Sequence, residues 1–151
     1  MPRINPYESA PGAMQAMMTL AAVVRESGLE PGLQELVKIR VSQINACAYC
    51  LDMHVREALK AGETVRRIGL LPAWEESGLF SPREKAALAW AESLTHLPRT
   101  GAPDAAYAAL AAQFEAGEQV QLTLLVNVVN AWNRFAVGFR YAVPPARDAA
   151  A

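Results

Sequence analysis

Glycine and proline cut this chain into segments in which apolar residues recur every three or four positions, and no stretch alternates apolar and polar residues long enough to make a strand. That punctuation confines the chain to an all-α fold. Met14, Met17, Met18, Ala21 and Val24 form one stripe, on a first helix predicted over residues 10–27 and closed by Gly28. A second starts at Pro31, a residue suited to the first helical position, and carries Leu33, Leu36, Val37, Ile39 and Ile44. A third is predicted from Cys47 to Ala61 and Gly62, then a short turn over 63–68 and a linker over 71–74. Ser81-Pro82-Arg83-Glu84 combines an N-cap, a first-position proline and a capping-box glutamate, so a helix should run from there to about Leu97. A loop over 98–103, a helix over 104–114 and a long apolar helix over 118–141 complete the reading. Residues 1–151 read as one domain, with 144–151 a frayed tail.

Apolar residues make up 52% of the chain, at the upper edge for a globular domain of this length, which predicts that some apolar surface is covered between subunits. The formal charge of -1 and the lack of a basic stripe with interleaved aromatics exclude nucleic acid as a partner. The apolar stretch over 13–24 is broken by Gln15 and Thr19 and is too short to cross a bilayer, so no membrane role is expected. With no export signal read there, the expected compartment is the cytoplasm, where a close cysteine pair is catalytic or metal-binding more often than structural.

The chain has two cysteines, and both stand in the run Asn45-Ala46-Cys47-Ala48-Tyr49-Cys50-Leu51-Asp52-Met53-His54. Placing Cys47 at the mouth of a helix and Cys50 in its first turn sets both sulfurs near unpaired N–H groups and the positive end of the helix dipole, which favours thiolate. Residues three and four apart share a helix face, so Cys47, Cys50 and His54 should line one side. His54 could then take the thiol proton and return it to a leaving group. Glu35, twelve positions before Cys47, could fold back to orient His54. The spacing reads as a dithiol active site that needs no cofactor and no metal. Two rivals accompany it: a structural zinc site built from the two Cys, the His and a carboxylate, and a non-catalytic redox sensor or disulfide oxidoreductase module. Glu35 could also be an ordinary surface glutamate paired with Lys38 or Arg40. His96 reads as a helix C-cap, and Trp74, Trp90 and Trp132 as core or subunit contacts.

Shifting the chain by 85 positions brings Gln34, Asn45 and Ala46 onto Gln119, Asn130 and Ala131, and Val37, Ile39, Val41 and Ile44 onto Leu122, Leu124, Val126 and Val129. Two pseudo-repeated helical halves follow, in which Trp132, Phe135 and Phe139 stand where the first half has Cys47, Cys50 and His54.

The run from Glu35 to Asn45 leading into Cys47-x-x-Cys50-x-x-x-His54 resembles the alkylhydroperoxidase D-like (AhpD-like) branch of the carboxymuconolactone decarboxylase family. The segment Ser81-Pro82-Arg83-Glu84-Lys85-Ala86-Ala87-Leu88-Ala89 and the stretch from Leu122 to Arg140 extend the resemblance over most of the chain. It implies a helical bundle assembled as a trimer or a dimer of trimers, and reduction of organic hydroperoxides with electrons from a lipoyl-type dithiol or a thiol reductase. On this pattern Cys50 attacks the peroxide, Cys47 resolves the sulfenic acid into a disulfide, and Glu35 with His54 relays protons. The decarboxylase branch lacks the cysteine pair. The best-known peroxidases of the family carry an extra histidine between the cysteines, where this chain has Tyr49.

Overall fold

The structure, a computed structural model, describes residues 2–145, all of whose regular elements are helical. These are α1 (Pro6–Ser9), α2 (Pro11–Arg25), α3 (Pro31–Ile44), α4 (Ala48–Lys60), α5 (Val65–Leu70), α6 (Pro82–Thr95), α7 (Leu97–Thr100), α8 (Asp104–Ala111) and α9 (Ala116–Phe139), with a 3₁₀ turn at Leu71–Ala73. The Ser81 capping box forms as expected: the Ser81 hydroxyl accepts from the Glu84 N–H at 3.2 Å, and the Ser81 N–H donates to the Glu84 carboxylate at 2.8 Å. Several helices end two or three residues short of expectation, α2 at Arg25, α6 at Thr95, α8 at Ala111 and α9 at Phe139, and the short turn expected over 63–68 is α5. Other differences have a clear local cause. Asn5, whose side chain accepts from the Tyr7 N–H, and Pro6 start an extra turn, α1. The predicted loop over 98–103 begins with the turn α7, which tolerates Pro98 in its first positions and stops at Gly101, where φ is +65°. The long last helix begins at Ala116, because Glu115 is its N-cap and Glu118 completes a capping box. Of the expected tail, Pro144 and Pro145 are exposed and irregular, and the remainder lies outside the described residues.

Helix α3 lies at the centre, packed against α4, α6 and α9. It is buried on two sides. Leu33, Val37 and Val41 join Trp90 and Ala91 of α6 and Leu122, Leu125, Val126 and Val129 of α9, while Leu36 and Ile39 meet Ala58, Leu71, Trp74, Phe80 and Leu88. The two halves show their relation in equivalent bonds. The Gln34 amide donates to the Leu29 carbonyl at 3.0 Å, and 85 residues on the Gln119 amide donates to the Phe114 carbonyl at 2.8 Å. The N-caps Glu30 and Glu115 are also equivalents, as are Asn45 and Asn130, which bond each other at 3.0 Å.

Where the halves diverge, the site appears. Helix α9 runs unbroken through the positions at which α3 stops and α4 begins. The α3 break is a Schellman motif: Ala46 adopts a left-handed φ of +51°, the Ala46 N–H donates to the Gln43 carbonyl at 3.1 Å, and the Cys47 N–H to that of Ser42 at 3.0 Å. It is pinned to α9 by amides, since the Asn45 Nδ2 donates to Asn130 and Asn133, and the Asn133 Nδ2 to the buried Ser42 hydroxyl at 3.1 Å. The end of α9 repeats the device. Arg140 has a φ of +57°, its N–H reaches the Val137 carbonyl, and the Tyr141 N–H donates to that of Ala136 at 2.9 Å.

Candidate functional site

The α3 break makes Cys47 the N-cap of α4 and puts Cys50 at its third position, where a capping oxygen would ordinarily meet an N–H. Here the Cys47 sulfur accepts from the Cys50 N–H at 3.3 Å. The two cysteines are joined as a disulfide with Cα atoms 5.3 Å apart, and they are 1% and 3% exposed. They pack with Ala136 of α9, Tyr49 and Tyr141, whose ring stands edge-on to that of Tyr49 at 5.3 Å.

One turn further along α4, His54 meets α3. Its Nδ1 lies 3.4 Å from the Glu35 carboxylate and 3.3 Å from that of Glu57, and Glu35 in turn accepts from Lys38 Nζ at 2.7 Å. The Glu35 and His54 side chains are 13% and 12% exposed, so this chain of charge is largely shielded from water. Burial pushes the Glu35 carboxyl up, but His54 and Lys38 outweigh it and hold the group below the usual carboxylate range. Glu35 is therefore not the freely solvated glutamate of an ordinary helix surface. Because Nδ1 faces the carboxylates, Nε2 is the ring nitrogen left without a protein hydrogen-bond partner among the described residues.

Cys50, His54, Glu35, Lys38, Tyr49 and Tyr141 border one cavity of about 540 Å³, whose remaining wall is mostly apolar and includes Met18, Val24, Leu125, Val129 and Trp132. Cys47 is not part of that wall. The sulfur pair thus presents Cys50 to the cavity and keeps Cys47 behind it. Burial, followed by the neighbouring Tyr7 and Tyr49, pushes the Tyr141 hydroxyl above its usual range, so it stays protonated.

All four residues expected at the site gather here, although no direct hydrogen bond joins His54 to Cys50 among the described residues. The ligand set imagined for zinc does not assemble as one group. The potential ligand atoms that converge within 4.8 Å are those of Glu35, His54 and Glu57, without the sulfurs. Trp74 and Trp90 are core residues as expected, their indole N–H groups donating to Glu92 and Thr123 at 2.7 and 2.9 Å. Trp132, expected as core or a subunit contact, packs partly buried against the main core and also borders the cavity. His96 caps α6 and touches Arg99. The pairing of Glu35 with Lys38 offered by the sequence forms, and Arg40 turns instead to Glu92. Sequence reasoning missed Glu57, three positions from His54, and it missed Tyr141, whose placement depends on a left-handed Arg140 that nothing in the sequence marks.

No helix among the described residues is long and apolar enough to cross a membrane. Residues 11–93 match the model of the carboxymuconolactone decarboxylase family. The uncharacterised protein YdfG of Bacillus subtilis is 42% identical over 135 residues, spanning 89% of this chain and 92% of that protein. A crystal structure from Agrobacterium tumefaciens, of a protein of unknown function named as a candidate antioxidant defence protein AhpD, is 42% identical with a TM-score of 0.92 over 95% of this chain and 99% of its own. The debrominase Bmp8 shares the fold at a TM-score of 0.83 and 15% identity, over 91% of this chain and 74% of that one. With more than half of its length matched by the family model and the cysteine pair in place, the chain belongs to the AhpD-like branch of the carboxymuconolactone decarboxylase family.

Proposed function

We propose that this protein is a thiol-dependent peroxidase that reduces organic hydroperoxides and is recycled by a lipoyl-type dithiol or a thiol reductase. The observation that carries the reading is the asymmetry of the sulfur pair, with Cys50 on the wall of an apolar cavity beside His54 and Glu35, and Cys47 bonded to it from behind. The Cys50 thiolate attacks the terminal peroxide oxygen, the O–O bond breaks, and an alcohol leaves while Cys50 becomes a sulfenic acid. The Cys47 thiol displaces water from that sulfenic acid and the disulfide forms. Two electrons from the donor dithiol then restore both thiols through a mixed disulfide. His54, oriented at Nδ1 by Glu35 and Glu57, holds the Cys50 proton at Nε2 and gives it to the departing oxygen.

Cys50→Ser should abolish peroxide consumption with a dithiol donor. Cys47→Ser should undergo one oxidation and stop, leaving a sulfenic acid that dimedone traps and mass spectrometry counts. Normal steady-state turnover by Cys50→Ser would remove the proposal. A sensor that oxidises once and turns over slowly, whatever the donor, is the rival outcome.

The reading extends to a cytoplasmic protein working as a homo-oligomer, a trimer or a hexamer. Its support is the high apolar content together with exposed apolar residues such as Met18, Val23 and Val137. Sedimentation at micromolar concentration tests the assembly, and a monomer would contradict it.

A further inference from the structure

Among the described residues, two buried side-chain atoms without a hydrogen-bond partner belong to residues that border the cavity: Glu35 Oε2 and the Tyr141 hydroxyl. The first has His54 Nδ1 opposite it at 3.4 Å. The second has nothing. A buried hydroxyl left unpaired is costly, and native proteins keep such a group where a ligand completes it.

The backbone makes the same point independently. Three non-glycine residues among those described are left-handed: Ala102, in the loop before α8, and two others, Ala46 immediately before Cys47 and Arg140 immediately before Tyr141. Ala46 and Arg140 close Schellman motifs, and each turns the next residue onto the cluster formed by the cysteines and Ala136. A left-handed conformation at alanine or arginine is strained, and it persists where the surrounding structure holds it for a purpose. At Ala46 the result is the position of a sulfur. At Arg140 the result is the position of a phenol.

We propose that Tyr141 is a catalytic residue, its hydroxyl donating a hydrogen bond to the oxygen that leaves the hydroperoxide as Cys50 attacks. The inference rests on the peroxidase reading. Attack forms a sulfur–oxygen bond to the terminal oxygen, which keeps its hydrogen, and breaks the O–O bond. Both electrons of that bond go to the inner oxygen, so sulfur is oxidised by two electrons and the peroxide is reduced. An alkoxide is a poor leaving group unless its charge is met as it develops, and a protonated phenol already in place on a mostly apolar wall meets it without reorganising. The proton that completes the alcohol is the one Cys50 gave up, delivered by His54. Tyr49 occupies the position at which the best-known peroxidases of the family have a histidine, and its edge-on contact holds the Tyr141 ring in place.

The test compares two oxidants that differ in leaving group, tert-butyl hydroperoxide and peracetic acid, acting on the fully reduced protein, with Cys50 oxidation followed by stopped-flow fluorescence. In Tyr141→Phe, which keeps the ring and removes the oxygen, oxidation by tert-butyl hydroperoxide should slow by about 100-fold, the usual effect of losing one preorganised donor. Oxidation by peracetic acid should change little, because acetate departs without help. Reduction of the disulfide by a dithiol should be unchanged, and Tyr49→Phe should leave the ratio of the two oxidation rates near that of the parent protein. Because that ratio is read within one protein, partial misfolding does not alter it. Equal losses with both oxidants, no loss with either, or a changed ratio in Tyr49→Phe alone would overturn the assignment. Failure of the unsubstituted protein's Cys50 to react with either oxidant would instead remove the peroxidase reading and this inference with it.

Discussion

A carboxylate held between an ammonium group and an imidazole, as Glu35 is between Lys38 and His54, couples folding to pH. Its folded-state pKa lies below the unfolded value, so folding binds fewer protons there, and the stabilising contribution is complete above the ordinary carboxylate range and lost as pH falls through the lowered value. Glu35→Gln should therefore lower the melting temperature by a constant amount above pH about 5, and the gap to the parent protein should close on acidification below about 4. Thermal denaturation followed by circular dichroism from pH 3 to 7 measures this, and a gap independent of pH would contradict it. At this scale much of the site was legible. Two cysteines at helical spacing from a histidine, with a glutamate on the preceding helix, are residue types whose chemistry is written in their identity. Tyr141 was not, since a tyrosine near a chain end carries no signal until the backbone before it turns left-handed.

The elements repeat one theme, that a helix end here is made by specific bonds. Ser81→Ala removes the hydroxyl that meets the Glu84 N–H and should cost about 1 kcal/mol. Asn133→Ala removes more, because Asn133 is 1% exposed and joins Ser42 on α3 to Asn45 at the break before Cys47. A loss of about 2–3 kcal/mol is expected, from a small cavity and unpaired polar partners. Urea unfolding of both variants provides the comparison, and Asn133→Ala should also loosen the Cys47 position and slow disulfide closure. The Ser81 helix start could be read directly, since cap, proline and glutamate stand in consecutive register. The start of α9 was placed two residues late, because glutamate is an uncommon N-cap and Glu115 gave no warning. The break at Asn45–Cys47 was inferred from the cysteines, not from its backbone, because alanine in a left-handed conformation has no sequence signature.

On the scale of the molecule, the 85-residue repeat turned from three identities into paired geometry. Gln34 and Gln119 make the same bond to equivalent carbonyls, and Asn45 and Asn130 meet across the interface of α3 and α9. The cavity could not be read in advance, because its wall draws on α2, α3, α4 and α9, and a void between helices depends on their packing rather than on any one periodicity. Reducing the disulfide should leave helical circular dichroism unchanged and lower the unfolding free energy by no more than about 2 kcal/mol, since the closed loop spans so few residues. A larger loss would mean that the sulfur link is scaffolding rather than a working part. Having Cys50 rather than Cys47 on the cavity wall carries one more consequence. On the proposed peroxidase cycle, oxidant and reductant use the same doorway in turn, so kinetics should be ping-pong, and either reagent in large excess should slow the cycle by occupying the entrance when the other is due.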